Sequence, residues 1–236
     1  MRQNNDTLMN NMNNDKTLSQ YYDNFYLSSD FKERKLSEKS FIKALIKKYN
    51  LSPGLSCLDV GSGTGKYSKL LVDYGLKVTG IDVSRVAIEK ARNRCPKASF
   101  LCKDIKDYSP SHKFDIIFCS GFSLYNSENL NNIINISTHL FNLLKYDGFL
   151  FFIKTSTLVD NYNKEKTRFD YSDKSFISHF NKIENAYLIG HYTLYPQLFI
   201  LFKEKAFNDT LSRICKKICE ISSIPLRIYL IYKKVH

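Results

Sequence analysis

No apolar run in this 236-residue chain approaches the roughly 20 residues that a bilayer-crossing helix needs. The opening residues, Met1-Arg2-Gln3-Asn4-Asn5-Asp6, hold none of the hydrophobic core of a secretory leader, and the expectation is a cytoplasmic protein. None of the six cysteines stands in a C-x-x-C pair, and no histidine lies at ligand spacing from Cys215 and Cys219. A metal site is therefore not expected. Cys57, Cys102 and Cys119 fall in or beside apolar runs, where a free thiol acts as a small hydrophobe. Acid is scarce beside base: 23 acidic against 35 basic residues give a formal charge of +12. Such an excess raises the on-rate of any anionic partner. Because it is mostly lysine spread along the chain, nucleic acid is allowed but not favoured.

The chain has a hydrophobic fraction of 43% and shows no internal repeat, which indicates one folded domain. Residues 1–17 are Asn-rich and lack apolar periodicity, so they read as a disordered tail, with the domain expected over 18–236. Phe41, Ile42, Leu45, Ile46 and Tyr49 form the apolar stripe of a helix that Ser37 or Ser40 would cap. Strand-like runs then alternate with helical ones: 55–60, 66–74, 77–81, a helix capped by Ser84, 98–102, 114–120, 130–144 and 149–153. Tyr146-Asp147-Gly148 reads as the turn closing the 130–144 helix. Strict alternation implies right-handed crossovers and a parallel sheet. The rhythm then breaks. Strands over 186–195 and 227–232 flank a helical insertion at 197–224, a pattern that suits an antiparallel edge.

The most informative stretch is Leu58-Asp59-Val60-Gly61-Ser62-Gly63-Thr64-Gly65-Lys66, at a strand-to-helix turn where glycines let a ligand approach the backbone. A dinucleotide fingerprint needs glycine at position 66, which is Lys66. A phosphate loop aligned on Gly65-Lys66 would need glycine at Val60 and a hydroxyl at Tyr67, and also fails. Asp59 beside the loop opposes a pyrophosphate and suits a cation such as S-adenosylmethionine (SAM), with its ammonium and sulfonium. Asp82, followed by Val83, stands about 20 residues beyond the loop, where an acid hydrogen-bonds ribose hydroxyls; its other reading is a helix cap. Asp104 and the backbone of Ile105, just after the third strand, are placed for an adenine, though an Asp there also forms turns.

Taken together, these motifs resemble the class I, seven-stranded SAM-dependent methyltransferases over roughly residues 38–154. Phe114-Asp115-Ile116-Ile117-Phe118-Cys119-Ser120 resembles that family's fourth-strand motif. Leu144-Lys145-Tyr146-Asp147-Gly148 resembles its L-K-P-G-G turn, with Tyr146 and Asp147 as departures. The resemblance implies a three-layer, Rossmann-like α/β fold with strand order 3-2-1-4-5-7-6 and an antiparallel end strand. It implies SAM as cofactor and S-adenosylhomocysteine as product. The cofactor-binding set becomes Asp59, Gly61, Ser62, Gly63, Gly65, Asp82, Val83, Asp104, Ile105 and Ser120. An N-terminal lid over about 18–50 would add Tyr22 and Tyr26 as aromatic contacts to the sulfonium.

Methyl transfer needs a general base only when the accepting atom must lose a proton. His191, in the strand before the insertion, is the candidate base, with Tyr125 and Tyr192 behind it. The segment Cys119-Ser120-Gly121-Phe122 lacks the [NDS]-P-P-[YFW] signature of enzymes that methylate planar nitrogens. The expected acceptor is a small molecule, a glycan precursor or a secondary metabolite, methylated on oxygen or nitrogen. An RNA or protein methyltransferase, or a non-catalytic SAM-binding module, stands as the alternative. The insertion mixes large apolar residues with Lys203, Lys205, Arg213, Lys216 and Lys217, so peripheral membrane contact is a further reading. No obligate protein partner is indicated.

Overall fold

The computed structural model describes residues 19–21, 23, 24, 27, 36–121, 130–155, 161–163, 168–170, 173–195, 197–222 and 226–236. After helix α1 (Leu36–Lys48), strands and helices alternate as β1 (Ser56–Val60), α2 (Lys66–Asp73), β2 (Lys77–Asp82), α3 (Arg85–Arg94) and β3 (Ser99–Cys102). Next come β4 (Phe114–Ser120), α4 (Leu130–Leu143) and β5 (Leu144–Thr155). A small hairpin, β6 (Asn161–Asn163) and β7 (Arg168–Asp170), precedes α5 (Asp173–Phe180) and β8 (Ala186–Leu194). The insertion forms α6 (Leu198–Phe202), a 3₁₀ turn (Lys203–Ala206) and α7 (Asp209–Ser222), and β9 (Arg227–Lys234) follows.

The main sheet has seven strands in the order β3-β2-β1-β4-β5-β9-β8. With the hairpin set aside this is the expected 3-2-1-4-5-7-6. The first five strands pair in parallel, whereas β9 runs antiparallel to both β5 and β8. Because β-strand side chains alternate, β5 sends Leu150 and Phe152 into a core under α4 and α5, and Phe151 and Ile153 into a second core on the other face. Phe41 of α1 centres that second core, packed against Phe118, Phe199, Phe207 and Tyr229 with ring centroids 5.0–6.5 Å apart.

Three local readings are corrected. Ser37 and Ser40 lie inside α1 rather than capping it. The insertion is two helices joined by a 3₁₀ turn rather than one continuous stretch. Tyr146-Asp147-Gly148 is not a turn between elements: α4 ends at Leu143, and β5 runs on through a bulge between the pairs Phe114–Leu144 and Ile116–Phe149. Asp147 takes φ 64° at this bulge, and its carboxylate pairs with Lys233 at 2.7 Å. A side chain at Gly148 would meet the carbonyl oxygens of Asp115 and Lys145 at 2.9 Å, which explains why glycine closes the bulge.

In the middle of β2, Gly80 pairs with Asp59 and Phe100. A Cβ there would lie 2.5 Å from the Phe100 ring and 3.0 Å from Ser62 Cβ. Gly80→Ala is therefore expected to destabilise the protein by about 1–3 kcal/mol through overpacking. A urea titration matching wild type would refute the close approach.

Candidate functional site

Parallel strands deliver their following loops to one edge of the sheet, so the turns after β1, β2, β3 and β4 converge at the carboxyl ends of neighbouring strands. The turn after β1 is built on left-handed backbone: Gly61, Gly63 and Gly65 have φ of 67°, 52° and 74°. A side chain at Gly65 would in addition strike Ala91 of α3 at 2.9 Å, so the loop lies directly on that helix. Arg94 fastens it there, its Nη1 donating to Thr64 Oγ1 at 2.8 Å.

Asp82 ties this loop to the next turn. Its Oδ2 accepts from Gly63 N and its Oδ1 from Ser84 N, both at 2.9 Å. A carboxylate offers about four acceptor positions, so capacity remains on Asp82 for a hydroxyl donor after its backbone bonds are made. Ser84 performs the helix-cap role that was open to Asp82, its Oγ accepting from Ala87 N at 3.0 Å. Asp59 lies beneath α2, and its Oδ2 accepts from Ser68 Oγ at 2.6 Å. Neither Asp59 nor Asp82 has an ion pair among the described residues. Burial, the dominant effect, pushes the Asp59 carboxyl up to about 7 against the Ser68 hydrogen bond, and the nearby Asp82 charge adds to it. Burial also raises Asp82, opposed by its backbone hydrogen bonds. The buried Asp59 and half-buried Asp82, with no ion pair among the described residues, suit a cationic ligand, and spare acceptor capacity on Asp82 suits a diol. Ser62 Oγ, buried and without a hydrogen-bond partner among the described residues, adds a further polar group within the loop. This donor set fits SAM and repels a pyrophosphate.

After β3, Asp104 accepts from Lys106 N at 2.8 Å, and its carboxylate lies 3.2 Å from Lys106 Nζ. It thus forms the 3₁₀ turn Ile105–Asp107, the turn-former role the sequence also allowed. Ser120 ends β4, and Val83 follows β2, so both stand on the same edge. His191 is not brought to this place. It lies on the edge strand β8, separated from β1 by four inter-strand spacings of about 4.8 Å each. Tyr192 is buried on the α1 side, while Tyr22, Tyr26 and Tyr125 lie outside the described residues.

Two features carry no local signal in the sequence. The first is an N-terminal contact: Ser19 Oγ donates to Val83 O at 2.7 Å, and Asp23 Oδ1 accepts from Ser84 Oγ at 2.5 Å and Val86 N at 3.1 Å. The amino-terminal segment therefore meets the Asp82–Ser84 turn through Asp23, beside the tyrosines the sequence had singled out. The second is a buried charge cluster. Glu38 of α1, 3% exposed, lies 2.6 Å from Lys66 Nζ and 3.7 Å from Arg227 Nη2. Tyr67 OH donates to Glu38 at 3.2 Å and accepts from Arg227 Nη1 at 3.0 Å. One acid and two cations meet there, on the same sheet edge as the glycine loop.

A mostly parallel sheet of this order, with a glycine loop between two acids, is the class I methyltransferase fold. Residues 57–148 match the family model described as "Methyltransferase domain". A malonyl-[acyl-carrier protein] O-methyltransferase of Ilyobacter polytropus is 29% identical over 54% of this chain and 45% of its own length. The chain spans about half the length, or less, of the curated relatives it matches. Among solved structures, N-methyltransferase NodS of Bradyrhizobium japonicum WM9, in complex with S-adenosylhomocysteine, aligns with a TM-score of 0.65 at 14% identity, covering 92% of this chain and 98% of that one. The [4+2]-cyclase SpnF aligns with a TM-score of 0.67 at 15% identity, covering 94% and 96%. At such identities the likeness shows the fold alone, and the cyclase illustrates that this fold does not by itself fix the chemistry.

The raised Asp59 gives the ligand-free protein a pH signature. The folded state holds a proton that the unfolded chain, with its carboxyl near 3.8, releases. The contribution of Asp59 to stability is intact below that value and is lost as the pH rises towards about 7. Asp59→Asn keeps an acceptor for Ser68 and removes the titration. The variant should gain stability relative to wild type between pH 5 and pH 8, measured by urea unfolding at both. A difference that does not change with pH would show that Asp59 is ionised throughout.

Proposed function

We propose that this protein is an enzyme that transfers a methyl group from SAM to oxygen or nitrogen of a small-molecule acceptor. The observation that carries the proposal is the pair of acids, the buried Asp59 and the half-buried Asp82, flanking the left-handed glycine loop with no ion pair among the described residues. Bound SAM supplies an electrophilic methyl carbon on a sulfonium. In this reading Asp82 holds the ribose hydroxyls with the acceptor positions left by Gly63 and Ser84. Asp59 compensates positive charge at the loop, Asp104 and Ile105 take the adenine, and Ser62, Val83 and Ser120 complete the wall. Tyr22 and Tyr26 retain their proposed place against the sulfonium.

Positioning and electrostatics can supply much of the rate of a displacement at carbon. The acceptor's proton, where there is one, needs a base, and the edge-strand position of His191 does not favour it. Relatives are named for malonyl-[acyl-carrier protein], for trans-aconitate and for ubiquinone biosynthesis, so the similarity supports small acceptors without selecting one. Among the described residues no helix is long and apolar enough to cross a membrane.

Calorimetric titration with SAM, NAD and ATP tests the cofactor. Saturable binding of SAM with the other two silent is the expected outcome, and folded protein that ignores SAM would refute the proposal. Asp82→Ala should weaken SAM binding by about 1–3 kcal/mol, the scale of hydrogen bonds to a charged group. Wild-type affinity in that variant would remove Asp82 from the ribose.

A further inference from the structure

The insertion between β8 and β9 exposes apolar side chains that the fold does not use. Helix α6 is entirely apolar, Leu-Phe-Ile-Leu-Phe, yet it buries only Phe199 fully, against Phe41 and Tyr229. Ile200, Leu201 and Phe202 are 42%, 72% and 43% exposed. Helix α7 docks on β8 through Ser212, whose Oγ accepts from Thr193 N at 2.9 Å, and through the buried Cys215. Ile214 and Ile218, one helical turn apart, stay 47% and 44% exposed. Isolated exposed apolar residues are ordinary, but runs of them rimmed by charge mark contact surfaces.

The rim is basic. Lys203 and Lys205 follow α6 directly, and Arg213 and Lys217 each precede one of the exposed isoleucines; all four are exposed. Residues 198–222 hold five basic and three acidic side chains, and one of the acids, Glu204, is already paired with Lys47 at 2.5 Å. Two copies of this face brought together would oppose like charges, so self-association is disfavoured. Large apolar side chains beside lysine and arginine are what an amphipathic helix lays into an anionic lipid interface. The insertion leaves β8 at Leu194 and returns at Arg227, residues that pair with each other, and Arg227 also pairs with Thr155 at the end of β5. It therefore emerges on the same sheet edge as the glycine loop.

We propose that the exposed face of α6 and α7 docks this protein on a bilayer containing anionic lipid. The binding itself needs no methyl transfer, so it stands or falls separately from the assigned activity.

The test is co-sedimentation of the purified full chain with vesicles of phosphatidylcholine alone and of phosphatidylcholine mixed with phosphatidylglycerol. Wild type should pellet with the mixed vesicles and at least about tenfold less with phosphatidylcholine, since each surface cation adds to the attraction. The double substitution Leu201→Ser/Phe202→Ser should abolish pelleting while thermal unfolding and SAM titration stay at wild-type values. Lys203→Glu/Lys205→Glu should remove the preference for the anionic vesicles. Wild type remaining in the supernatant overturns the proposal. So does undiminished pelleting of the Ser variant, which would mean charge alone drives adsorption. A dimer on size exclusion that the Ser variant dissolves would identify a second copy as the occupant and overturn it too.

Discussion

The carboxylate of Asp82 is the point on which the site depends. One oxygen fixes Gly63 in the loop after β1, and the other fixes Ser84 at the start of α3. Ser84 in turn caps α3 and meets Asp23 of the amino-terminal segment. The loop after β1, the start of α3 and the amino-terminal segment are thereby held to the end of one strand. The arrangement carries an electrostatic penalty, because the charge of Asp82 disfavours that of the buried Asp59, and the charge of Asp23 disfavours that of Asp82. A site of this kind is at its most comfortable with a cation in it. Stability and binding pull against each other there, as they commonly do where a protein is built around a ligand rather than around itself.

The fold was legible because its signals are local. Ile116–Cys119 is an unbroken apolar run, and Asp59 through Gly65 combines an acid with three glycines at a strand-to-helix turn. Such features report their own environment. What stayed hidden was set by long-range proximity. Glu38, Lys66 and Arg227 meet only because α1 and β9 pack around the start of α2, and no spacing rule links positions so far apart. Asp23 was hidden among aromatic neighbours that drew attention first. The 145–148 segment misled for the opposite reason: glycine after a polar residue ordinarily ends an element, but here it admits a bulge within a strand whose neighbours are already paired.

The two faces of the sheet differ in what they support. Beneath α4 and α5, Phe152, Phe176, Phe180 and Tyr232 pack ring on ring with little polar content. On the other face, aromatic packing around Phe41 joins α1 to α6 and the following turn, and the charge cluster lies at its upper edge. One face is structural ballast, and the other connects the cofactor loop to the variable insertion.

That insertion joins two strands that are already hydrogen-bonded neighbours, with Leu194 opposite Arg227. A loop whose ends are held together by the sheet can lengthen or change composition at only a slowly growing entropic cost. The exposed positions of residues 195–226 can therefore be rewritten by evolution or by design without disturbing the strand order that positions Asp59 and Asp82, so long as Phe199 and Phe207 still fill the core around Phe41. The chain is in this sense modular within a single domain: the donor half is held fixed by backbone geometry, and the half that meets the outside world is free to drift.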